Sequence, residues 1–299
     1  MSQSATFAMS STSRQKAFLF LLGAVILWGV TPVGNRYFLG SGDLAMPGAA
    51  YMALRFLIPS LCFLPVVILA AKSWSMADWL RGGFCGVAGV SIYNLLAGVA
   101  GRTVSAGMIG LINSSESLMI LILACAVARR FPDGRTIFAA FMGVVGIIVL
   151  AASSGPAVGN VYGIILLLIG ALGWAIYCIL IPPLIEKHGV LQSSAVTMFI
   201  GTLPLLAFGW HGLGPMLHEM TRFDWEIMLA MCLGSSVFAM LAWNKGMAQL
   251  GAQTAGWFLY LMPMFSALGG KLLLNEPLTL GELVGGALVL GSVYVAQRR

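Results

Sequence analysis

The sequence predicts an all-α membrane protein: ten transmembrane helices arranged as two inverted five-helix repeats, with both termini in the cytoplasm. Three observations lead there. First, ten apolar stretches separated by short polar loops fill the chain, examples being Phe18–Val33, Ala53–Ala71 and Leu283–Ala296. A helix crosses a hydrocarbon core with about 20 apolar residues. Second, 59% of the 299 residues are hydrophobic and 9% are charged, where a soluble domain carries about 25% charge. Third, one ungapped offset aligns much of the second half with the first. Lipid offers the backbone no hydrogen bonds, so only helices and closed barrels span it. These segments are too long and too continuously apolar for barrel strands.

The predicted spans are 17–36, 48–71, 79–100, 104–128, 136–153, 161–184, 190–209, 226–246, 251–274 and 280–296. The first sixteen residues form a polar lead-in to an uncleaved first helix, since no small-residue cleavage site follows a short apolar core. Only Gly101-Arg102-Thr103 divides the third span from the fourth, yet the run from Trp79 to Ala128 is long enough for two crossings. The longest predicted loop is Trp210–Trp225. The 37 glycines suit helices whose backbones approach closely in lipid.

Lys and Arg orient the spans, because they concentrate in cytoplasmic loops. With the N-terminus inside, the cytoplasmic segments hold eleven: Arg14, Lys16, Lys72, Arg81, Arg129, Arg130, Arg135, Lys187, Lys245, Arg298 and Arg299. The other side holds four: Arg36, Arg102, Arg222 and Lys271. That bias accounts for the net charge of +6, so no nucleic-acid partner is expected; the expected partners are the bilayer and a small-molecule substrate. Cys62, Cys85, Cys125, Cys178 and Cys232 stand apart inside apolar runs and read as packing residues, with no metal or other cofactor implied. His188, His211 and His218 fall in predicted loops, and no zinc-protease or nucleophile-elbow motif occurs, which disfavours an enzyme. A scaffold is disfavoured by the short loops and tails.

The repeats are predicted at 17–153 and 161–296, on either side of the Gly155–Asn160 loop. Trp28 in "ILWGV" matches Trp174 in "LGWAI", each in the opening helix of its half. An offset of 145 residues then pairs Leu96-Ala97 with Leu241-Ala242, Gly101 with Gly246, Met119 with Met264, Pro132 with Pro277 and Gly146 with Gly291. Five helices per half is an odd number, so the second half enters the membrane inverted. Arg129, Arg130 and Arg135 crowd one loop, whereas its counterpart holds Asn275-Glu276-Pro277. Inverted repeats are typical of secondary transporters, whose substrate sites lie near the midplane where the repeats meet.

Polar side chains at mid-span need partners or a cavity. Asn113, Glu116 and Ser117 share one face of helix four, and Glu116 is the one acidic residue deep inside a predicted span. It either holds a proton or meets a substrate ammonium, or it is a protonated carboxyl tied to neighbouring helices. Helix three offers Tyr93 and Asn94, and helix one offers Trp28, Thr31 and Asn35. Trp174 and Tyr177 lie one turn apart on helix six, Trp257, Tyr260 and Met264 form a stripe on helix nine, and Trp243 lies on helix eight. Together they outline a cavity lined by aromatic rings. Trp243 and Trp257 also fit the role of interface anchors. Arg55, near the start of helix two, is expected to snorkel to the surface, as are Lys245 and Lys271 at helix ends. Pro32, Pro59, Pro204 and Pro263 are candidate kinks, Pro263 being the candidate gating hinge. They bring no paired Gly/Pro breaks of the kind that build sodium sites.

From Ala17 to Ala296 the chain resembles the drug/metabolite transporter superfamily. The resemblance rests on the five-plus-five architecture, the tryptophan opening each half, Arg55-Phe56, and "LNEPLT" at 274–279. Within it the chain looks most like the EamA-type exporters, and among these the YddG-type exporters of aromatic amino acids. The first-half loop reads "RRFPDG" where the family commonly has a glycine-glutamate step, partly kept in "NEPLT", so the two loops are not expected to do one job. The resemblance implies export of aromatic and other neutral amino acids across a bacterial inner membrane by alternating access, with a monomer sufficing. Drugs, nucleosides and nucleotide sugars are alternative cargoes. Phosphate-bearing cargo calls for deep Arg or Lys, and the sequence reading places none at mid-membrane.

Overall fold

The computed structural model describes residues 11–39, 47–100, 112–113, 115–153, 161–265, 268, 272 and 280–297. The predicted turn at Gly101-Arg102-Thr103, the 154–160 loop and the 274–279 stretch lie outside the described residues. Those residues are all-helical, in ten helices of eight residues or more. In chain order these are α1 (Ser11–Leu39), α2 (Gly48–Ala70), α3 (Met76–Ala100), α4 (Ser115–Ala128) and α5 (Gly134–Ser153). After them come α6 (Val161–Leu180), α7 (Pro182–Glu219), α8 (Arg222–Leu250), α9 (Ala252–Leu259) and α10 (Leu280–Gln297). Six of them, α1, α2, α3, α6, α7 and α8, are long and apolar enough to cross a membrane. The chain is a multi-pass membrane protein.

Local chemistry sets the boundaries. α3 opens with a capping box: Ser75 Oγ accepts from the Asp78 amide while Asp78 Oδ2 accepts from the Ser75 amide at 3.0 Å. α8 opens the same way with Thr221 and Asp224. Just before α5, the Asp133 carboxylate accepts from the Thr136 amide at 2.9 Å and is thereby held below its usual pKa. α7 breaks at Gly189, whose φ of 80° lies in the left-handed region that favours glycine.

Several boundaries differ from the predicted ones. α1 begins at Ser11, so part of the polar lead-in is helical. The predicted Trp210–Trp225 loop is mostly helix, because Leu213 and Met216 continue the buried stripe of α7 and Gly209 and Gly212 pack on Ala49 and Ala50 of α2. The histidines expected in loops, His188, His211 and His218, lie on α7. The ninth span is discontinuous: α9 ends at Leu259, Tyr260 and Leu261 form a turn, and helix resumes at 262–265 around Pro263. Pro263 therefore follows an actual break, where the sequence reading expected a kink alone.

Both α3 and α8 contain a π-helical segment, Val87–Ile92 and Cys232–Phe238, starting 145 residues apart. The most extensive packing joins α2 with α7 and α5 with α10; α4 also packs on α9, α1 on α8, and α3 on α6. Small residues permit the closest of these approaches. A Cβ at Gly173 of α6 would lie 2.5 Å from the Ala88 carbonyl oxygen of α3, and a backbone atom cannot step aside as a side chain can.

Gly173→Val should accordingly push α6 off α3 and destabilise the fold by about 1–3 kcal/mol. The check is a lower melting temperature in detergent, with Gly214→Ala, which meets nothing within 4 Å, leaving it undiminished.

Candidate functional site

Where α1, α3, α6 and α8 meet, five predicted site residues form one aromatic cluster. The Trp28 ring lies 5.3 Å from Trp174, edge to face, and 5.3 Å from Trp243. Trp174 stacks on Tyr177 at 5.1 Å and approaches Trp243 and Tyr93 at 6.0 Å each. Such pairings lie in the range in which ring quadrupoles attract. Trp174 and Tyr177 are buried, and Trp28 and Tyr93 are half-buried. Trp243 is 0% exposed, which corrects its reading as an interface anchor: its indole packs against both Trp28 and Trp174 in the interior of the protein.

The π segments serve this cluster. Trp28 Nε1 donates to the Ser235 carbonyl at 2.8 Å, inside the π segment of α8. The Thr31 and Ser235 hydroxyls share a hydrogen bond of 2.8 Å, and Thr31 Oγ1 also donates to the Leu27 carbonyl. On the other side Tyr177 packs over Gly89 of the α3 π segment, where a Cβ would come within 2.6 Å of the tyrosine. A π-helical register disturbs the regular ladder, and such segments are frequent at functional sites.

Hydrogen bonds fix the floor. Asn244 Nδ2 donates to the Tyr177 hydroxyl at 2.7 Å and to Ser194 Oγ at 2.8 Å. Asn94 Nδ2 donates to the Val90 carbonyl one turn back at 2.9 Å. Several buried polar atoms have no partner among the described residues: Trp174 Nε1, Trp243 Nε1, Asn244 Oδ1 and Glu116 Oε1. Glu116 is buried beside Tyr93, and the adjacent Ser117 hydroxyl donates to the Gly256 carbonyl at 2.7 Å.

The remaining predicted residues do not join the cluster. Asn113 is half-buried one turn before Glu116. Trp257 and Tyr260 pair at 5.7 Å on the broken ninth span, and both are buried, so Trp257 is not a surface anchor either. Tyr260 instead faces Gly143 of α5.

The sequence reading missed Asn244, Ser194 and Ser235, short polar residues in apolar runs. It also misplaced Arg55. The guanidinium does not snorkel; Arg55 is 5% exposed, with its Nε unpartnered and its Cζ 5.4 Å from the Phe56 ring centre. α2 packs on α7 and on the π segment of α8, where the Cys232 thiol donates to the Arg55 carbonyl at 3.2 Å. Arg55 is thus a buried cation, the eighth residue of the second span.

Two polar contacts tie the halves of the chain together at opposite ends of α2, a helix of about 34 Å at 1.5 Å per residue. Just beyond its last turn, Asp78 Oδ2 accepts from Lys187 Nζ at 2.6 Å, with His188 Nε2 at 3.2 Å, an ion-pair distance without hydrogen-bond alignment. The His188 ring stacks on Trp74 at 4.4 Å. At the first turn of α2, Tyr51 stacks on Phe38 and donates to Asn35 Oδ1, while the neighbouring Tyr37 hydroxyl donates to Asp224 Oδ1 at 2.6 Å.

Tyr37→Phe and Asp224→Asn should be coupled. A double-mutant cycle read by denaturation in detergent is expected to return an interaction energy above about 0.5 kcal/mol, and additivity would mean that the contact does not hold in solution.

Among relatives, an uncharacterized transporter of Archaeoglobus fulgidus is 26% identical over 284 residues, 95% of this chain and 99% of its own. The uncharacterized transporter YyaM of Bacillus subtilis is 22% identical over 287 residues, 93% of this chain and 92% of its own. One solved crystal structure superposes with a TM-score of 0.75 at 18% identity, covering 95% of this chain and 96% of that one, a likeness of fold. The profile of the EamA-like transporter family matches twice, over residues 15–152 and 161–297. With both halves of the sequence matched, this chain belongs to the EamA-like transporter family.

Proposed function

We propose that this transporter exports aromatic and other neutral amino acids across a bacterial inner membrane by alternating access. In this reading residues 17–153 and 161–296 are two five-helix halves of opposite orientation, both termini are cytoplasmic, and one chain suffices. The paired capping boxes, the π segments 145 residues apart and the helix pairings support the two-half arrangement. The observation that carries the cargo assignment is the aromatic cluster of Trp28, Tyr93, Trp174, Tyr177 and Trp243, contributed by both halves. Such a wall stacks an aromatic side chain and covers an aliphatic one.

The two contacts at the ends of α2 serve as gates. With the N-terminus inside, the Asp78–Lys187 contact lies on the cytoplasmic side and Tyr37–Asp224 on the far side, each joining first half to second. Breaking one while the other holds opens the centre to one face only. Glu116 is the group that meets a substrate ammonium or carries a coupled proton.

Uptake of radiolabelled phenylalanine and tryptophan into proteoliposomes, with and without a pH gradient, tests this. Saturable uptake competed by other neutral amino acids is expected. Trp174→Ala and Tyr177→Ala should each weaken apparent affinity about tenfold, the equivalent of about 1.4 kcal/mol. No flux from folded protein overturns the amino-acid reading. Normal transport by Glu116→Gln across the pH range removes Glu116 from coupling.

A further inference from the structure

We infer that Asn244 sets the preference of the site for aromatic over saturated side chains, as a positioning residue that acts through Tyr177 on the face Trp174 shows to cargo. This rests on the amino-acid reading and adds to it which side chains are favoured and what fixes the choice.

The aromatic cluster has two layers. Trp28 and Tyr93 are half-buried and Trp174 is 6% exposed, whereas Tyr177 and Trp243 are 0% exposed. The first three are the rings that cargo can reach. Tyr177 lies behind them, stacked on Trp174 at 5.1 Å with 11° between the planes. The orientation of the Trp174 indole therefore depends on a ring that cargo does not touch.

Asn244 holds that ring. It is 0% exposed and donates both amide hydrogens, one to the Tyr177 hydroxyl of α6 at 2.7 Å and one to Ser194 Oγ of α7 at 2.8 Å. One side chain of α8 thus clasps two further helices of the second half. The phenol's own proton points to Met240 Sδ at 3.9 Å, a weak acceptor, so of these two contacts the amide is the one that pins the far end of the ring. A buried amide whose Oδ1 has no partner among the described residues is costly. Leucine would fill the same volume without that cost, and what the amide adds is its hold on Tyr177.

The consequence is selective. Attraction between rings depends on the offset and tilt of their planes, while burial of apolar area does not. A phenyl or indole side chain gains from an indole held at a fixed tilt. A saturated ring of the same size gains only from the area it covers.

The test is competition against radiolabelled phenylalanine binding to the purified full-length protein in detergent. The competitors are phenylalanine and cyclohexylalanine, its saturated counterpart. Wild type should favour phenylalanine about fivefold. Asn244→Leu, which keeps the volume and removes the donor, should bring the ratio close to one by weakening phenylalanine while cyclohexylalanine binds as before. Tyr177→Phe, which removes only the accepting oxygen, should do the same, and the double variant should lose no more than either single one. A ratio unchanged in Asn244→Leu, or an equal loss of both ligands, overturns the positioning role and leaves the amino-acid reading standing. Equal binding of the two ligands by wild type does the same. Absence of phenylalanine binding to folded wild type overturns the amino-acid reading and the role of Asn244 with it. Should Asn244→Leu not fold, Tyr177→Phe decides by the same ratio.

Discussion

In a medium without water every peptide carbonyl must find a donor, and the hydrogen bond from Trp28 to the Ser235 carbonyl is where that requirement organises this protein. The acceptor lies inside the π segment of α8 and the donor on another helix, which ties the depth and tilt of the indole to the backbone that receives it. Trp174 and Trp243 then pack on a ring that is already fixed, and Tyr177 is held from the far side by Asn244. The cluster is positioned by main chain, the least adjustable part of a protein.

The same economy appears in how the helices meet. Gly173 against Ala88, and Gly201 against Gly86, bring backbones together where a side chain would hold them apart. Close approach brings Tyr177 onto Gly89 of the α3 π segment and Trp174 to Tyr93 just beyond it. Lipid gives no hydrophobic reward for helix association, so the fit between small residues and the interhelical hydrogen bonds must supply it. Packing and site are therefore one arrangement.

Much of this was legible in the sequence, because bilayer thickness and apolar run length are linked by simple geometry. The rings that gather at the centre were legible too: an indole or a phenol at mid-span has few reasons to be there. Arg55 was not. A cation eight residues into the second span could equally reach the surface, and only its burial in the structure decides. Trp243 was ambiguous for the same reason, since tryptophan belongs both at interfaces and in cores. The π segments leave no periodic mark, and Asn244, Ser194 and Ser235 are too short to stand out in apolar runs. The helical extension through Trp210–Glu219 was hidden by glycine and histidine, residues that read as loop until Ala49 and Ala50 are seen against them.

Asp78 and Asp224 each hold two posts. Besides its contact with the other half, Asp78 accepts from the amide and hydroxyl of Ser75, and Asp224 does the same with Thr221. When Lys187 leaves, the carboxylate stays hydrogen-bonded to its own helix start, and the ammonium, already 56% exposed, returns to water. Neither partner is stranded, so undoing the fastener carries little of the penalty that separating a fully enclosed ion pair would bring. A tie of this kind sets geometry firmly while closed and yet can be released and remade many times by thermal motion alone.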